Sequence, residues 1–336
     1  MANKKNTRQT RRALFSSDIE TINPENLKLI KEYLTFCKGV DRSDVTILNY
    51  QSDLNIFFSW FRDNCDNKDF SEIKKRDYLN FQAHMLSEGT SPNRIRRIRS
   101  ALSSLSNYVE NYLDEEPKWK NFRNIILKIE APTKTAVREK TILSDDQCSQ
   151  FLDHLLSKRK YQHACAFALA WATGGRIAEL VQFKVSDIQE KNIMWGKYYK
   201  SAKMRTKGRG KLGKQINRYI RIDKFQKYFD LWMAERERLG VPSTTDSIFV
   251  KYDKNLSQWV ALEKRTLSSW ARTFGNWFGV PFYFHALRHN FCTTLLMEGY
   301  PPEIVKQIIA WESLDMVSVY DDRDTDELIA DFLNAA

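Results

Sequence analysis

Paired cysteines, metal-spaced histidines, long apolar runs and excess acid are all missing from this chain, and each absence closes off a class of protein. Its five cysteines (Cys37, Cys65, Cys148, Cys165, Cys292) stand far apart and form no CxxC pair. An odd, scattered set argues against a disulfide framework and against a zinc site, and suits reduced, buried thiols in a cytoplasmic protein. The five histidines (His84, His154, His163, His285, His289) form no HExxH pattern, so no metal is expected. No apolar run approaches the ~20 residues of a membrane span. The basic N-terminus is not followed by the apolar stretch of a secretory signal. Acid is outnumbered, with 42 Asp+Glu against 53 Lys+Arg and a net charge of +11. That excess favours a polyanionic partner, and with no membrane segment in view the partner expected is nucleic acid.

What is present divides into two parts, as 336 residues at 42% hydrophobic content allow. Residues 1–20 carry Lys4, Lys5, Arg8, Arg11 and Arg12 among few apolar groups. They predict a flexible basic arm, either a solubilising tail or a source of salt-dependent phosphate contacts. From 21 to 115 the apolar residues keep helical spacing. Leu27, Ile30, Tyr33 and Leu34 make one face, and Ile47, Tyr50, Leu54, Phe57, Phe58 and Phe61 a second. Tyr78, Phe81, Met85 and Leu86 mark a third helix. A fourth opens at Thr90-Ser91-Pro92 and runs through Ile95, Ile98, Leu102, Leu105 and Val109. The pattern predicts a four-helix domain. Arg94, Arg96, Arg97 and Arg99 crowd the start of that fourth helix with no acid between them. They read as a DNA-binding face, since a planar guanidinium fork suits phosphate and guanine edges.

Residues 116–141, with Pro117, Pro132 and Thr133-Lys134-Thr135, read as a linker. A second domain, 142–336, begins with Ser144 as helix cap and Gln147 at the capping-box position. An apolar helix from Cys165 to Trp171 stops at Thr173-Gly174-Gly175, and a new one opens with Arg176-Ile177-Ala178-Glu179-Leu180. Strand character follows in Asn192 to Trp195, Tyr198 to Arg205 and Arg218 to Ile222. A Gly- and Lys-rich turn, 206–214, lies between the last two. Helices are expected from about Lys224 to the end. The whole predicts a mainly α protein with one small antiparallel sheet.

Four separated pieces then fit one chemistry. They are the Arg176–Glu179 box, the Lys-bearing turn, His285-Ala286-Leu287-Arg288, and Trp311 to Tyr320. A guanidinium, a ring N–H and a phenol are the parts needed to attack a phosphodiester. In this order the pieces resemble the tyrosine site-specific recombinases, or phage integrase family, over residues 24 to the C-terminus. The resemblance implies a helical core-binding domain followed by a mixed α/β catalytic domain. It implies a Tyr320 oxygen attacking a DNA phosphate to form a 3′-phosphotyrosyl bond, later reversed by a 5′-hydroxyl of a partner strand. Arg176 and Arg288 match the two arginines that clamp the nonbridging oxygens, where charge accumulates. His285 matches the histidine that positions the phosphate and manages the Tyr proton. Glu179 matches a supporting acid. The proton for the leaving 5′-oxygen comes from a hairpin Lys in the family. Lys207, in Arg205-Thr206-Lys207, matches best, with Lys203, Lys211 and Lys214 as rivals; Lys203 and Lys211 otherwise read as phosphate contacts. Trp311, where many members carry His, resembles the Cre-type branch. An indole N–H donates but exchanges no proton at neutral pH. Tyr320 has no neighbouring competitor, being the only Tyr after Tyr300. His289 reads as a bystander on the same helix as His285.

The resemblance further implies double-stranded DNA with a specific core site as partner, a homotetramer on paired sites, a Holliday junction intermediate, and neither metal nor cofactor. Residues 325–333 form a short amphipathic segment that docks either in its own protomer or, by helix exchange, in a neighbour. The expected location is the cytoplasm of a prokaryotic cell, for a chromosomal, phage or plasmid gene. Two other functions use the same scaffold: type IB topoisomerase-like nicking and closing, and DNA binding without catalysis.

Overall fold

The computed structural model describes residues 18–133, 141–206, 208 and 213–323. Lys207, Lys211, most of the basic arm and the 325–333 segment lie outside the described residues. The chain divides into two compact units, with residues 18–133 in one and 141–206 and 213–323 in the other.

The first unit holds α1 (Pro24–Gly39), α2 (Asp44–Asn64), α3 (Lys75–Ser87) and α4 (Pro92–Tyr112). Their starts are chemically marked. Asn23 accepts from the Glu25 N–H, Ser43 from Thr46, and Ser91 from Arg94 just ahead of Pro92, each satisfying an otherwise orphaned donor. The predicted apolar faces meet in one core that includes Tyr33, Leu54, Phe57, Phe61, Phe81, Ile98 and Leu105. Leu86 departs from its predicted face and is exposed.

Two stretches carry contacts that the sequence pattern does not show. The stretch read as linker contributes Trp119, Phe122, Ile126 and Ile129 to this core, so its first half is part of the folded unit. Its apolar residues follow helical spacing, but Pro117 and the surrounding charges hid them. The arginines of α4 are also engaged internally. Asp53 is fully buried, and Arg97 grips both its oxygens at 2.8 Å while Arg94 approaches at 3.0 Å. A buried carboxylate requires such compensation. Arg96 donates to the Pro132 carbonyl at 2.8 Å. Arg99 donates to the carbonyls of Ile126, Leu127 and Ile129. These side chains tie α4 to α2 and to the connector, rather than presenting four unengaged cations. Their partners are too distant in sequence for a local charge pattern to reveal.

The second unit begins with α5 (Asp145–Ser157), started by the expected Ser144/Gln147 capping box. Helix α6 (Tyr161–Thr173) is buried throughout from Ala164 to Thr173. It packs on α5, on α8 (Ile222–Arg238) and on α10 (His285–Met297). Between α7 (Ile177–Leu180) and α8 come five short strands. β1 (Ile193–Met194), β2 (Tyr198–Lys200) and β5 (Tyr219–Arg221) form one antiparallel sheet, and β3 (Met204–Thr206) pairs with β4 (Lys214–Ile216). A further hairpin, β6 (Val250–Asp253) and β7 (Gln258–Ala261), interrupts the region expected to be helical. Its cross-strand Tyr252–Trp259 pair supplies the stabilisation that helical patterning did not foresee. Helices α9 (Lys264–Phe278), α11 (Pro302–Ile309) and α12 (Asp315–Tyr320) complete the unit. Among the described residues, no helix is long and apolar enough to cross a membrane.

Candidate active site

The turn between α6 and α7 starts the site. Gly174 caps α6 in the left-handed region at φ +56, and a Cβ there would lie 2.8 Å from Phe291. Glycine is therefore required both by the backbone and by the close approach of α10. The turn delivers Arg176 as the cap of α7, where the Glu179 carboxylate accepts from its backbone N–H at 2.9 Å and from its Nη1 at 3.1 Å. Arg176 also donates to Thr206 Oγ1 at 3.2 Å, which links the turn to β3.

Glu179 is the hub beneath. It is 1% exposed and is bonded by Arg176, by the Thr206 hydroxyl and by Arg218. Arg218 Nε and Nη2 reach the same Glu179 oxygen at 3.0 and 2.6 Å. Burial alone would raise the Glu179 carboxyl. Arg218, Thr206 and Arg176 outweigh it and hold the group below its usual value.

Helix α10 supplies the opposite wall. Arg288 is 0% exposed and donates through Nη1 to the Gly174 carbonyl at 2.8 Å and through Nη2 to the Ile309 carbonyl at 3.1 Å. Arg218 Nη1 donates to that same Ile309 oxygen at 2.6 Å. Ile309 ends α11, where carbonyls are unpaired and the helix dipole is negative, a natural seat for cations. Burial, then the charges of Arg218 and Arg176, pull the Arg288 guanidinium down to about 9. It stays protonated at neutral pH, but in surroundings that favour an added anion. Among the described residues, the cluster holds Arg176, Arg218 and Arg288 around the carboxylate of Glu179.

Tyr320 ends α12 and is 8% exposed. Its hydroxyl lies 2.5 Å from His285 Nε2. Burial, then the charges of Arg288, His289 and Arg176, lower His285 to about 4, so the imidazole is neutral near pH 7 and can accept a proton. Trp311 packs on Tyr320 with ring centroids 4.8 Å apart, and the Arg288 guanidinium sits 5.1 Å from the Trp311 ring. Among the described residues, Trp311 Nε1 and Arg288 Nε are buried donors that meet no hydrogen-bond partner. Buried donors are normally satisfied, and an indole N–H together with an Arg288 guanidinium that keeps one N–H unpaired suits a tetrahedral oxyanion.

The structure thus brings Arg176, Glu179, His285, Arg288, Trp311 and Tyr320 together. Lys203 is exposed immediately before β3. Lys207 and Lys211 lie outside the described residues. Lys214, at the start of β4, approaches Glu312 at 3.5 Å, one residue past Trp311. Sequence reasoning missed Arg218, which is fully buried and joins Glu179 to Ile309. Its only signal was an Arg heading the alternating strand Tyr219-Ile220-Arg221-Ile222. His289, read as a bystander, stacks on the Tyr320 ring at 4.3 Å and 28°.

Comparison with known proteins places these features in context. Residues 141–327 match the model of the phage integrase family, and residues 30–111 match the phage integrase N-terminal SAM-like domain. The SPbeta prophage-derived recombinase-like protein YomM of Bacillus subtilis (strain 168) is 31% identical over 65% of this chain, and the match spans 64% of that relative's length. Tyrosine recombinase XerD of Oceanobacillus iheyensis is 24% identical, covering 83% of this chain and 87% of its own. A lambda integrase tetramer bound to a Holliday junction shares the fold with TM-score 0.64 and 19% identity, covering 89% of this chain and 78% of that one.

Proposed function

The chain belongs to the phage integrase family, and from that footing we propose that it is a site-specific DNA recombinase acting through a 3′-phosphotyrosyl intermediate. The observation that carries this reading is the Tyr320 hydroxyl 2.5 Å from a neutral His285, beside the guanidiniums of Arg176 and Arg288 and, among the described residues, the unpaired Trp311 Nε1 donor. In the proposed step the Tyr320 oxygen attacks the phosphorus while its proton passes to His285 Nε2. The bond to the 5′-oxygen breaks, and that oxygen takes a proton from a hairpin lysine. Lys207 is our assignment for this acid, with Lys214 as rival because it approaches Glu312. Arg176, Arg288 and Trp311 Nε1 hold the nonbridging oxygens as charge builds on them. Glu179 orients Arg176. The reverse step, with a 5′-hydroxyl from a second strand, restores the diester without an outside energy source.

We divide the chain by function into a DNA-grasping part, 21–115, and a catalytic part, 142–336, joined by 116–141, whose first half packs into the core of the first part. The two family-model matches support that division. Any direct phosphate contact by Arg94, Arg96, Arg97 or Arg99 would be made by side chains that also brace their own unit. The lambda integrase tetramer bound to a Holliday junction supports a tetramer on paired sites and a Holliday junction for this chain too. The bacterial and prophage sources of the relatives support action in the cytoplasm of a prokaryotic host.

The test is a plasmid bearing two copies of the core site, sought as inverted repeats in the DNA beside the gene. Recombined products of altered size are expected. Supercoil relaxation without exchange would move the protein to the type IB topoisomerase-like reading, and neither outcome would leave DNA binding alone.

The depressed His285 also predicts a pH profile. A base that ordinarily titrates near 6.5 but is held near 4 remains competent through mild acid. The rate of covalent trapping at subsaturating DNA, which reports the free protein, should show no fall attributable to His285 around pH 6.5. It should fall only as pH drops through about 4. For stability the sign runs the same way. Between about 4 and 6.5 the unfolded chain binds the His285 proton and the folded one does not, so this residue's contribution weakens as pH falls through that window. A half-loss of trapping near 6.5 that His285→Gln removes would contradict the assignment.

A further inference from the structure

Helix α10 holds the Tyr320 turn at more points than the chemistry uses. His285 meets the hydroxyl. One turn on, His289 stacks on the ring face at 4.3 Å and 28°, and its Nδ1 lies 3.1 Å from Asp322 Oδ2. His289 is 8% exposed, and the Asp322 side chain 3%. One further turn on, Thr293 Oγ1 donates to the Tyr320 carbonyl at 3.3 Å and accepts from the Asp322 N–H at 3.1 Å. These contacts come from one face of a single helix, at positions 285, 289 and 293, the i, i+4 spacing that puts side chains in register. Trp311 covers another side of the same ring, with centroids 4.8 Å apart.

A Tyr with a free χ1 would sample several rotamers, and the one seen here brings its oxygen to His285. Ring stacking constrains the plane of the phenol. The Asp322 carboxylate lies against the imidazole at 3.1 Å, and residues 320–322 join it to the backbone carrying the Tyr. We propose that His289 and Asp322 form a clamp that aims the Tyr320 oxygen, making His289 a positioning residue of the cleavage step. The kinetic consequence rests on the recombinase reading; the geometric one does not. His289 meets Tyr320 at its ring face, and in the proposed step it is not assigned a contact with the phosphate. It acts by raising the share of protein whose nucleophile is aligned before DNA arrives, the preorganisation that geometry-limited steps require.

Two measurements on the full chain test it. The first needs no DNA. Protein labelled with 3-fluorotyrosine is examined by fluorine NMR, with the Tyr320 resonance identified by its loss in Tyr320→Phe. His289→Ala should move that resonance by removing the stacked ring, and His289→Phe should leave it close to its original place. An unmoved resonance in a folded His289→Ala protein overturns the clamp whatever the protein does to DNA. The second measures single-turnover cleavage of saturating suicide DNA carrying the core site, beside the affinity for that DNA. His289→Ala should cleave roughly 10- to 100-fold more slowly with affinity within about twofold. His289→Phe should recover most of the rate, and Asp322→Asn should fall between. Wild-type rates in His289→Ala, or a loss confined to affinity, overturn the positioning role. Should His289→Ala fail to fold, Asp322→Asn decides the point by the same rate comparison. A wild-type protein that cleaves no DNA would sink the recombinase reading, while the NMR result would still decide the geometry.

Discussion

Tyr320→Phe is expected to reduce covalent capture of a suicide DNA substrate to background while leaving the protein folded and able to bind its site. Phe keeps the ring that packs on Trp311 and His289 and removes only the oxygen facing His285. The stability change should stay near the ~1 kcal/mol of one hydrogen bond. Removing the nucleophile of a covalent mechanism typically lowers rate by roughly 10⁴-fold or more. Denaturing gel electrophoresis of radiolabelled DNA reads the adduct, and mass spectrometry of the wild-type adduct should find the phosphate on the peptide containing Tyr320. Equal trapping by wild type and Tyr320→Phe would remove both the nucleophile assignment and the mechanism built on it.

The second large effect is thermodynamic. Glu179→Ala should destabilise the catalytic unit by about 3–5 kcal/mol, the usual result of leaving a buried charge uncompensated. Arg218 is 0% exposed and spends two of its donors on Glu179; without the carboxylate it is a cation enclosed by protein. At roughly 2–4 °C per kcal/mol for a unit of this size, the melting temperature should drop on the order of 6–20 °C. A double replacement separates stability from positioning. Glu179→Leu with Arg218→Met removes both charges and should recover much of the lost stability, since apolar substitutes for a buried pair are often neutral. It should not recover cleavage, because Arg176 loses the carboxylate that orients it and the Ile309 carbonyl loses one of its two guanidiniums. Full cleavage by the double variant would show that the network serves folding alone.

Much of this protein is legible along the chain, and the legible parts share a cause. Helix starts are written in one or two residues: Ser91-Pro92 and the Ser144/Gln147 box act over three positions, and the structure uses both. The apolar periods of α1, α2 and α4 predict their buried faces for the same reason. The candidate boxes are legible because each is a local arrangement, with His285 and Arg288 one turn apart on α10, and Arg176 capping α7 three positions before Glu179. Where local pattern was silent, a distant partner decides the contacts. The arginines of α4 read as a DNA face, and the sequence did not show that Asp53 and the connector carbonyls also engage them. The β6–β7 hairpin depends on a cross-strand aromatic pair that helical periodicity does not register.

Sequence by itself determined the inventory and the order: a basic chain, a helical first part, a catalytic second part, and a set of Arg, His, Trp and Tyr whose chemistry suits a phosphodiester. Those properties reside in residue types and in separations of a few positions, which backbone geometry converts directly into shared faces. Only tertiary structure decided how the set is charged and aimed. Arg218 lies 39 positions from Glu179 and 91 from Ile309, yet it bonds to both. His289 lies more than thirty residues before Tyr320 and covers its ring. Burial pulls His285 to about 4 and Arg288 to about 9. Coulomb interactions and desolvation act through space and depend on what surrounds a group, so a phenol that the sequence could only nominate becomes, in the fold, a phenol held against a neutral base.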